Sequence, residues 1–160
     1  MNEHWAERAF ADHFRDVFRY AAAHLDRDEV EDAVAEVFAI ALTKPAPEQP
    51  LHWLIGVARN VVYRGHHRRK RKQDLDERIG APPETAMDLR VEQSVALAET
   101  MHRLKPEERD VLALCLVEGF DRADVAQILD CSVNALNVRL HRAKENFKQH
   151  YTELTREEEK

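Results

Sequence analysis

Six residues in the last third of the chain, Asn134, Ala135, Asn137, Val138, Arg139 and Arg142, have the chemistry to read DNA. An asparagine amide pairs with adenine edges, a guanidinium with guanine edges or phosphate, and a small apolar side chain with a thymine methyl. Ser132 just ahead is a good N-cap for the helix that would carry them, and Lys144 further on adds a cation. A second set lies between Arg59 and Lys72, where seven Lys or Arg and two His occur with no acid. Cations at a helix end are favoured by the macrodipole, but seven exceed what a terminus requires, so this strip suits phosphate. Its members include Arg68 and Arg69 beside His67. Tyr63 is open to stacking on an unpaired base, whereas Trp53 reads as core, the commoner fate of an aromatic on an amphipathic helix. For both sets the plain alternative is a solvated helix face.

Other chemistry finds little support. His66 and His67 sit among repelling cations, and Cys115, Cys131 and His141 lack the close paired spacing of a zinc site, so no metal is expected. With four glycines there is no Gly-rich phosphate loop, and no serine occupies a nucleophile elbow. Asp32 and Glu36, four apart, are the one notable carboxylate pair, and two acids on one exposed helix face more often meet a basic partner than catalyse. Neither a catalytic residue nor a cofactor is expected. The two cysteines read as reduced packing thiols.

The elements that must position these residues read as helices throughout. Phe10, Phe14, Val17, Phe18, Ala21 and Leu25 follow a 3.6-residue period, and Val30, Ala33, Val34, Val37, Phe38 and Ala41 repeat it. Pro45, Pro47 and Pro50 end the second helix near Lys44 and make a stiff loop. Leu51, Leu54, Ile55, Ala58, Val61 and Val62 then give a third apolar face, completing a bundle over roughly residues 8 to 72. Beyond a polar stretch with Gly80, Pro82 and Pro83, a fourth helix is expected on Val91, Val95, Ala98 and Met101. Pro106 opens a fifth with Val111, Leu112, Cys115 and Leu116 inward, closed by Gly119 as its C-terminal cap. Asp121 with Asp124 forms a capping arrangement for a helix of about two turns, Asp130-Cys131 makes a tight turn, and the last helix buries Val133, Leu136, Leu140, Ala143 and Phe147. Short helix, tight turn and long basic helix form a helix-turn-helix. The fold class is all-α, two small helical domains joined by a flexible acidic linker: 1–73, linker 74–90, and 91–154.

A net charge of −6 argues weakly against nucleic acid, but charge is unevenly placed. Asp74 to Glu92 carries six acids against Arg78 and Arg90, between two basic patches. No apolar run approaches the roughly 18 residues that span a bilayer, and Met1 to Phe10 lacks a basic segment followed by an apolar one, so a cytoplasmic protein without membrane insertion is expected.

Several of these segments together resemble extracytoplasmic-function sigma factors of the sigma-70 family. Glu31 to Phe38 is similar to their "AEDLVQETF", Trp53 to Asn60 to "WLxxIARN", Leu104 to Leu112 to "LPxxxRxVL", Glu118-Gly119 to "EG", and Arg139 to Lys144 to "RLHRAR". The order is the family's, and the resemblance covers nearly the whole chain. It implies a sigma factor that binds RNA polymerase core and directs promoter-specific initiation. Polymerase binding, through the clamp helices of the largest subunit, then falls to Asp32, Ala35, Glu36 and Phe38, and the flap is a further contact. Capture of unpaired −10 bases falls to the loop Thr43 to His52 and to Arg59, Asn60, Tyr63 and Arg64, with His67, Arg68 and Arg69 of the basic strip. Reading of the −35 duplex falls to Ser132, Asn134, Ala135, Asn137, Val138, Arg139, Arg142 and Lys144. An anti-sigma factor is a further candidate partner. The chain departs from the family pattern at Ala35, where glutamine is usual, at Arg64, where aspartate often stands, and at Asp130-Cys131, which replaces Leu-Gly. Two other readings use the same residues, a sigma-like decoy that binds an anti-sigma factor and a helix-turn-helix repressor.

Overall fold

The structure, a computed structural model, describes residues 2–75, 91–117 and 119–159. Among them are seven helices and no strand, in two compact units, Met1–Glu84 and Thr85–Lys160. The expected acidic linker lies, from residue 76 to 90, outside the described residues.

The first unit is a bundle of α1 (Asn2–His24), α2 (Arg27–Leu42) and α3 (Pro50–Leu75), each packed on the other two. All six apolar residues expected to face inward from α2 are buried. Of the α3 set, Leu54, Ile55, Ala58, Val61 and Val62 are buried and Leu51 is half-buried. On α1 the expected stripe holds at Val17, Ala21 and Leu25, all buried, and fails at the three phenylalanines. Phe10 is 50% exposed and Phe14 and Phe18 are half-buried, while the innermost line is Ala6, Ala9, Val17, Tyr20, Ala21 and His24. Ala6 and Ala9 take buried places on one side of the helix, and Tyr20 and His24, almost wholly buried, lie ring against ring at 4.8 Å. The phenylalanines form a ladder along the rim, Phe10 to Phe14 at 5.0 Å and Phe14 to Phe18 at 5.8 Å.

The proline loop is held at its base. Thr43 closes α2, its hydroxyl donating to Ile40 O at 2.8 Å, and Pro50 opens α3 where a missing N–H costs nothing. Trp5 Nε1 donates to Lys44 O at 2.8 Å, and its ring meets Trp53 edge-on at 5.4 Å. Trp53 is thus half-buried against a tryptophan of α1, at the edge of the core.

In the second unit α4 (Val91–Arg103), α5 (Pro106–Cys115) and α6 (Arg122–Ile128) all pack on α7 (Val133–Glu159). The expected α4 face is corrected: Val95 and Ala98 are exposed and Met101 is half-buried, while Ala96 and Thr100 are buried. Thr100 reaches inward without cost because its hydroxyl donates to Ala96 O at 2.7 Å. On α5, Leu116 is 66% exposed, and the buried side is Arg109, Asp110, Val111, Ala113 and Leu114. Gly119 is not a left-handed cap either. The helix ends earlier, at a right-handed Leu116 with φ −87°, and 3₁₀-type bonds from Val117 N to Leu114 O and Phe120 N to Val117 O carry the chain onward.

The helix-turn-helix is set by local chemistry. Asp121 and Asp124 form a reciprocal capping box, Asp124 N donating to Asp121 Oδ1 at 2.8 Å and Asp121 N to Asp124 Oδ2 at 2.9 Å. At the other end Asp130 N donates to Gln127 O and Cys131 N to Ala126 O, a Schellman closure that requires a left-handed residue. Asp130 supplies it at φ 55°, the expected tolerance of aspartate for this region. Ser132 then caps α7, its Oγ accepting from Ala135 N at 3.0 Å. Ser132→Ala is expected to lower the stability of this unit by about 1 kcal/mol, read as a shift of the urea unfolding midpoint.

Candidate nucleic-acid interface

Leu136, Leu140 and Ala143 are buried on α7, which turns the remaining faces outward. Asn134, Asn137, Val138, Arg139 and Arg142 are all exposed, and Ala135 is half-buried. Val138, 52% exposed, has no packing role to explain it. At about 100° per residue, Asn134, Val138 and Arg142 share the outward face, with Asn137 and Arg139 on its two edges. Lys144 falls elsewhere, roughly 140° round from Arg139, toward α5. There it lies near enough to Cys115 to act on its thiol. Burial pushes that thiol up, and the nearby charges of Arg122 and Lys144 oppose the shift only in part. Cys115 and Cys131 are both free thiols. Ser132 spends its hydroxyl oxygen on the helix cap, so its first role is structural.

Asn137 is not isolated on its edge. Arg122, the first residue of α6, donates from Nη1 to Asn137 Oδ1. Asn146 on the same helix donates to Glu108 Oε2, and Glu108 Oε1 accepts from Lys105 N, so the start of α5 is pinned to α7. Arg109 is 5% exposed and holds the end of α4: Nε donates to Met101 O at 2.8 Å, and Nη2 to His102 O at 3.2 Å and Leu104 O at 3.0 Å. A guanidinium at a helix C-terminus satisfies orphan carbonyls and the negative end of the dipole together.

In the first unit Asp32 and Ala35 are exposed on α2 and Glu36 is half-buried beside them. Phe38 belongs to the other side of the helix. It is buried under Phe10, ring centroids 5.0 Å apart, so it supports this surface from beneath and presents nothing on it. On α3, Asn60 is exposed, and Arg59 is half-buried with its guanidinium 5.7 Å from the centre of the half-buried Tyr63 ring. Arg64 is exposed and donates from Nη2 to Glu36 Oε1 at 2.8 Å. Two residues assigned to different partners are therefore paired with each other. Arg64 is exposed and Glu36 partly so, so solvent screens the pair and it contributes no more than about 1 kcal/mol. The side chains of His67, Arg68 and Arg69 lie outside the described residues.

Sequence reasoning missed Arg122, Arg109 and Trp5. Arg109 was within a family-like segment, but nothing local marks it as buried. Among the described residues no group of His, Cys, Asp or Glu could hold a metal ion, and no helix is long and apolar enough to cross a membrane.

Residues 94–147 match the family Sigma-70, region 4, which takes in most of α4, all of α5 and α6 and the first half of α7. The chain is 29% identical over 140 residues to the ECF RNA polymerase sigma factor SigC of Mycobacterium tuberculosis, covering 82% of this chain and 75% of that one. Its fold is similar to the sigma factor RpoE of Bartonella quintana, solved with the anti-sigma factor NepR, at a TM-score of 0.70 and 17% identity over 91% of this chain and 96% of the other. It is similar also to CnrH, solved with the cytosolic domain of CnrY, at a TM-score of 0.66 and 21% identity over 92% and 88% of the two chains.

Proposed function

From the match of residues 94–147 to Sigma-70, region 4, and the likeness to an ECF sigma factor over most of the chain, we infer that this is a sigma factor of the extracytoplasmic-function type that binds RNA polymerase core and directs promoter-specific initiation. The observation that carries the reading is the coincidence of the region 4 match with a helix-turn-helix whose second helix turns asparagine, valine and arginine outward. In this assignment the second unit reads the −35 duplex through α7 and meets the polymerase flap. The first unit uses the exposed acids of α2 on the clamp helices and Arg59, Asn60, Tyr63 and Arg64 on melted −10 DNA. The linker 74–90 lets one protein deliver both readers, so that neither needs high affinity alone. Melting costs about 1.4 kcal/mol per base-pair step, which captured bases and polymerase contacts together must offset. The work is done in the cytoplasm, beside the polymerase, and asks for neither a catalytic group nor a cofactor. Both solved relatives described above were captured with a partner protein, CnrY or an anti-sigma factor, which supports an anti-sigma factor as a second partner of this chain.

The test is reconstitution. Purified protein added to core polymerase should give initiation from a selected promoter, and failure to bind core in a pull-down would favour a free-standing helix-turn-helix repressor. Within that assay Arg139→Ala is expected to cost about 1 to 3 kcal/mol on the preferred upstream sequence and much less on a scrambled one. Equal losses on both would make Arg139 a phosphate contact.

A further inference from the structure

The loop between α2 and α3, residues 43–50, is stiff along most of its length. Pro45, Pro47 and Pro50 have a fixed φ, and Lys44, Ala46 and Gln49, each followed by a proline, are steered away from the helical region. Thr43 is the C-cap of α2, tied by its hydroxyl to Ile40 O, and Gln49 O accepts the first bond of α3, from Trp53 N at 3.0 Å. A segment of this kind swings as a body about its ends, so its direction is set where it leaves α2, at Thr43 and Lys44. Trp5 of α1 grips that joint: its indole N–H donates to Lys44 O at 2.8 Å. The same ring meets Trp53, in the first turn of α3, edge-on at 5.4 Å. One side chain from a third helix thus ties the entry of the loop to its exit, and Ala46, Glu48 and Gln49 stand exposed between.

We propose that Trp5 is a positioning residue for −10 recognition: by clasping the loop 43–50 at both ends it holds the exposed crown in the direction in which it meets an unpaired base. The inference rests on this loop being a reader of the −10 strand. Trp5 acts through the loop and touches no base itself. An indole has one N–H and no acceptor, so Trp5→Phe keeps an aromatic ring against Trp53 and removes only the bond to Lys44 O. That carbonyl lies at an exposed site, where water replaces the lost donor, so the fold loses little while the loop loses its direction. Only molecules with a correctly directed loop bind, and apparent affinity for the preferred −10 strand falls with their fraction.

The experiment selects −10 sequences from a randomised library with reconstituted holoenzyme, for the natural protein, Trp5→Phe, Trp5→Ala and the loop variant Glu48→Ala with Gln49→Ala. Val17→Ala serves as a control, since it loosens the core of the bundle about 18 Å along α1 from Trp5. Urea unfolding first shows each variant to be folded. The loop variant should flatten the preference at one or more −10 positions, which marks the bases the loop reads. At those positions Trp5→Phe should narrow the preference by about five-fold, what one net hydrogen bond amounts to, and Trp5→Ala, which also gives up the ring contact, by about ten-fold or more. Upstream preference and affinity for core should stay as in the natural protein, and so should the −10 preference of Val17→Ala. An unchanged −10 preference in Trp5→Phe overturns the proposal, because the bond to Lys44 O is then idle. So does a change confined to positions that the loop variant leaves alone. An equal narrowing in Val17→Ala overturns it as well, since Trp5 then serves only the stability of the bundle. In these three cases the holoenzyme still selects a −10 sequence and the sigma-factor reading stands. A loop variant without effect removes the loop from −10 recognition and takes the proposal with it, whereas a natural holoenzyme that selects no −10 sequence at all removes the sigma-factor reading too.

Discussion

Arg109→Ala is expected to destabilise the second unit by about 3 kcal/mol, the largest effect of any single substitution considered. The guanidinium is almost wholly buried and is shared among three carbonyls, those of Met101, His102 and Leu104. Each acceptor left without a donor in such a place costs about 1 to 3 kcal/mol, and water entering the vacated space recovers part of that. A domain of this size holds only some 5 kcal/mol in all, so the variant unit would be close to its folding threshold. The two units can be followed separately, because both tryptophans, Trp5 and Trp53, lie in the first. In urea the far-ultraviolet circular dichroism of Arg109→Ala should show an early transition that the tryptophan fluorescence lacks. With a denaturant slope near 1 kcal/mol per M, the second-unit midpoint should fall by about 3 M. Arg109→Lys keeps the charge but cannot present a fork to three carbonyls, and should fall between. A midpoint unchanged in Arg109→Ala would mean that the end of α4 finds its hydrogen bonds elsewhere.

Reversing both acids of α2, Asp32→Arg with Glu36→Arg, should weaken binding to core polymerase by a hundred-fold or more. The attraction of two carboxylates for a basic partner surface is lost, and two cations are set against it, a juxtaposition that costs several kcal/mol. The fold should survive, since Asp32 is exposed and the Glu36 pair with Arg64 is a screened surface contact. Asp32→Arg alone leaves that pair intact and isolates the effect of charge on the partner. Affinity is measured by titrating labelled protein with core at several salt concentrations, where the difference between variants should shrink as salt rises. Unchanged affinity for the double variant would remove these acids from the interface.

The parts of the fold that were legible in the sequence are those fixed by short-range chemistry. The capping box at Asp121, the left-handed aspartate at 130 and the serine cap at 132 each depend on residues within a turn of one another, and the helix-turn-helix follows from them. The α2 stripe was legible because valine and alanine recur on a single face of a helix packed on both of the others. On α1 the same reasoning placed Val17, Ala21 and Leu25 inward, as they are, but chose Phe10, Phe14 and Phe18 where Ala6, Ala9 and Tyr20 are buried instead. The α4 face failed for a similar reason, a threonine that pairs with its own backbone taking the buried place of a valine. For the candidate site, outward exposure on α7 could be read from periodicity. What each side chain is tied to could not, because Arg64 reaches a residue 28 positions away and Arg122 one 15 positions away.

The Glu36–Arg64 pair gives the first unit a thermodynamic cycle of its own. Under the assignments proposed for them, Glu36 engaging polymerase sets Arg64 free, and Arg64 engaging a DNA phosphate sets Glu36 free. Each binding event then removes a competitor of the other, and by reciprocity the two affinities must rise by one and the same factor. That factor is bounded by the free energy of the pair, about 1 kcal/mol, or roughly five-fold. Under those assignments the protein would hold single strands less well alone than on the enzyme, and would grip the enzyme more firmly once the strand is open.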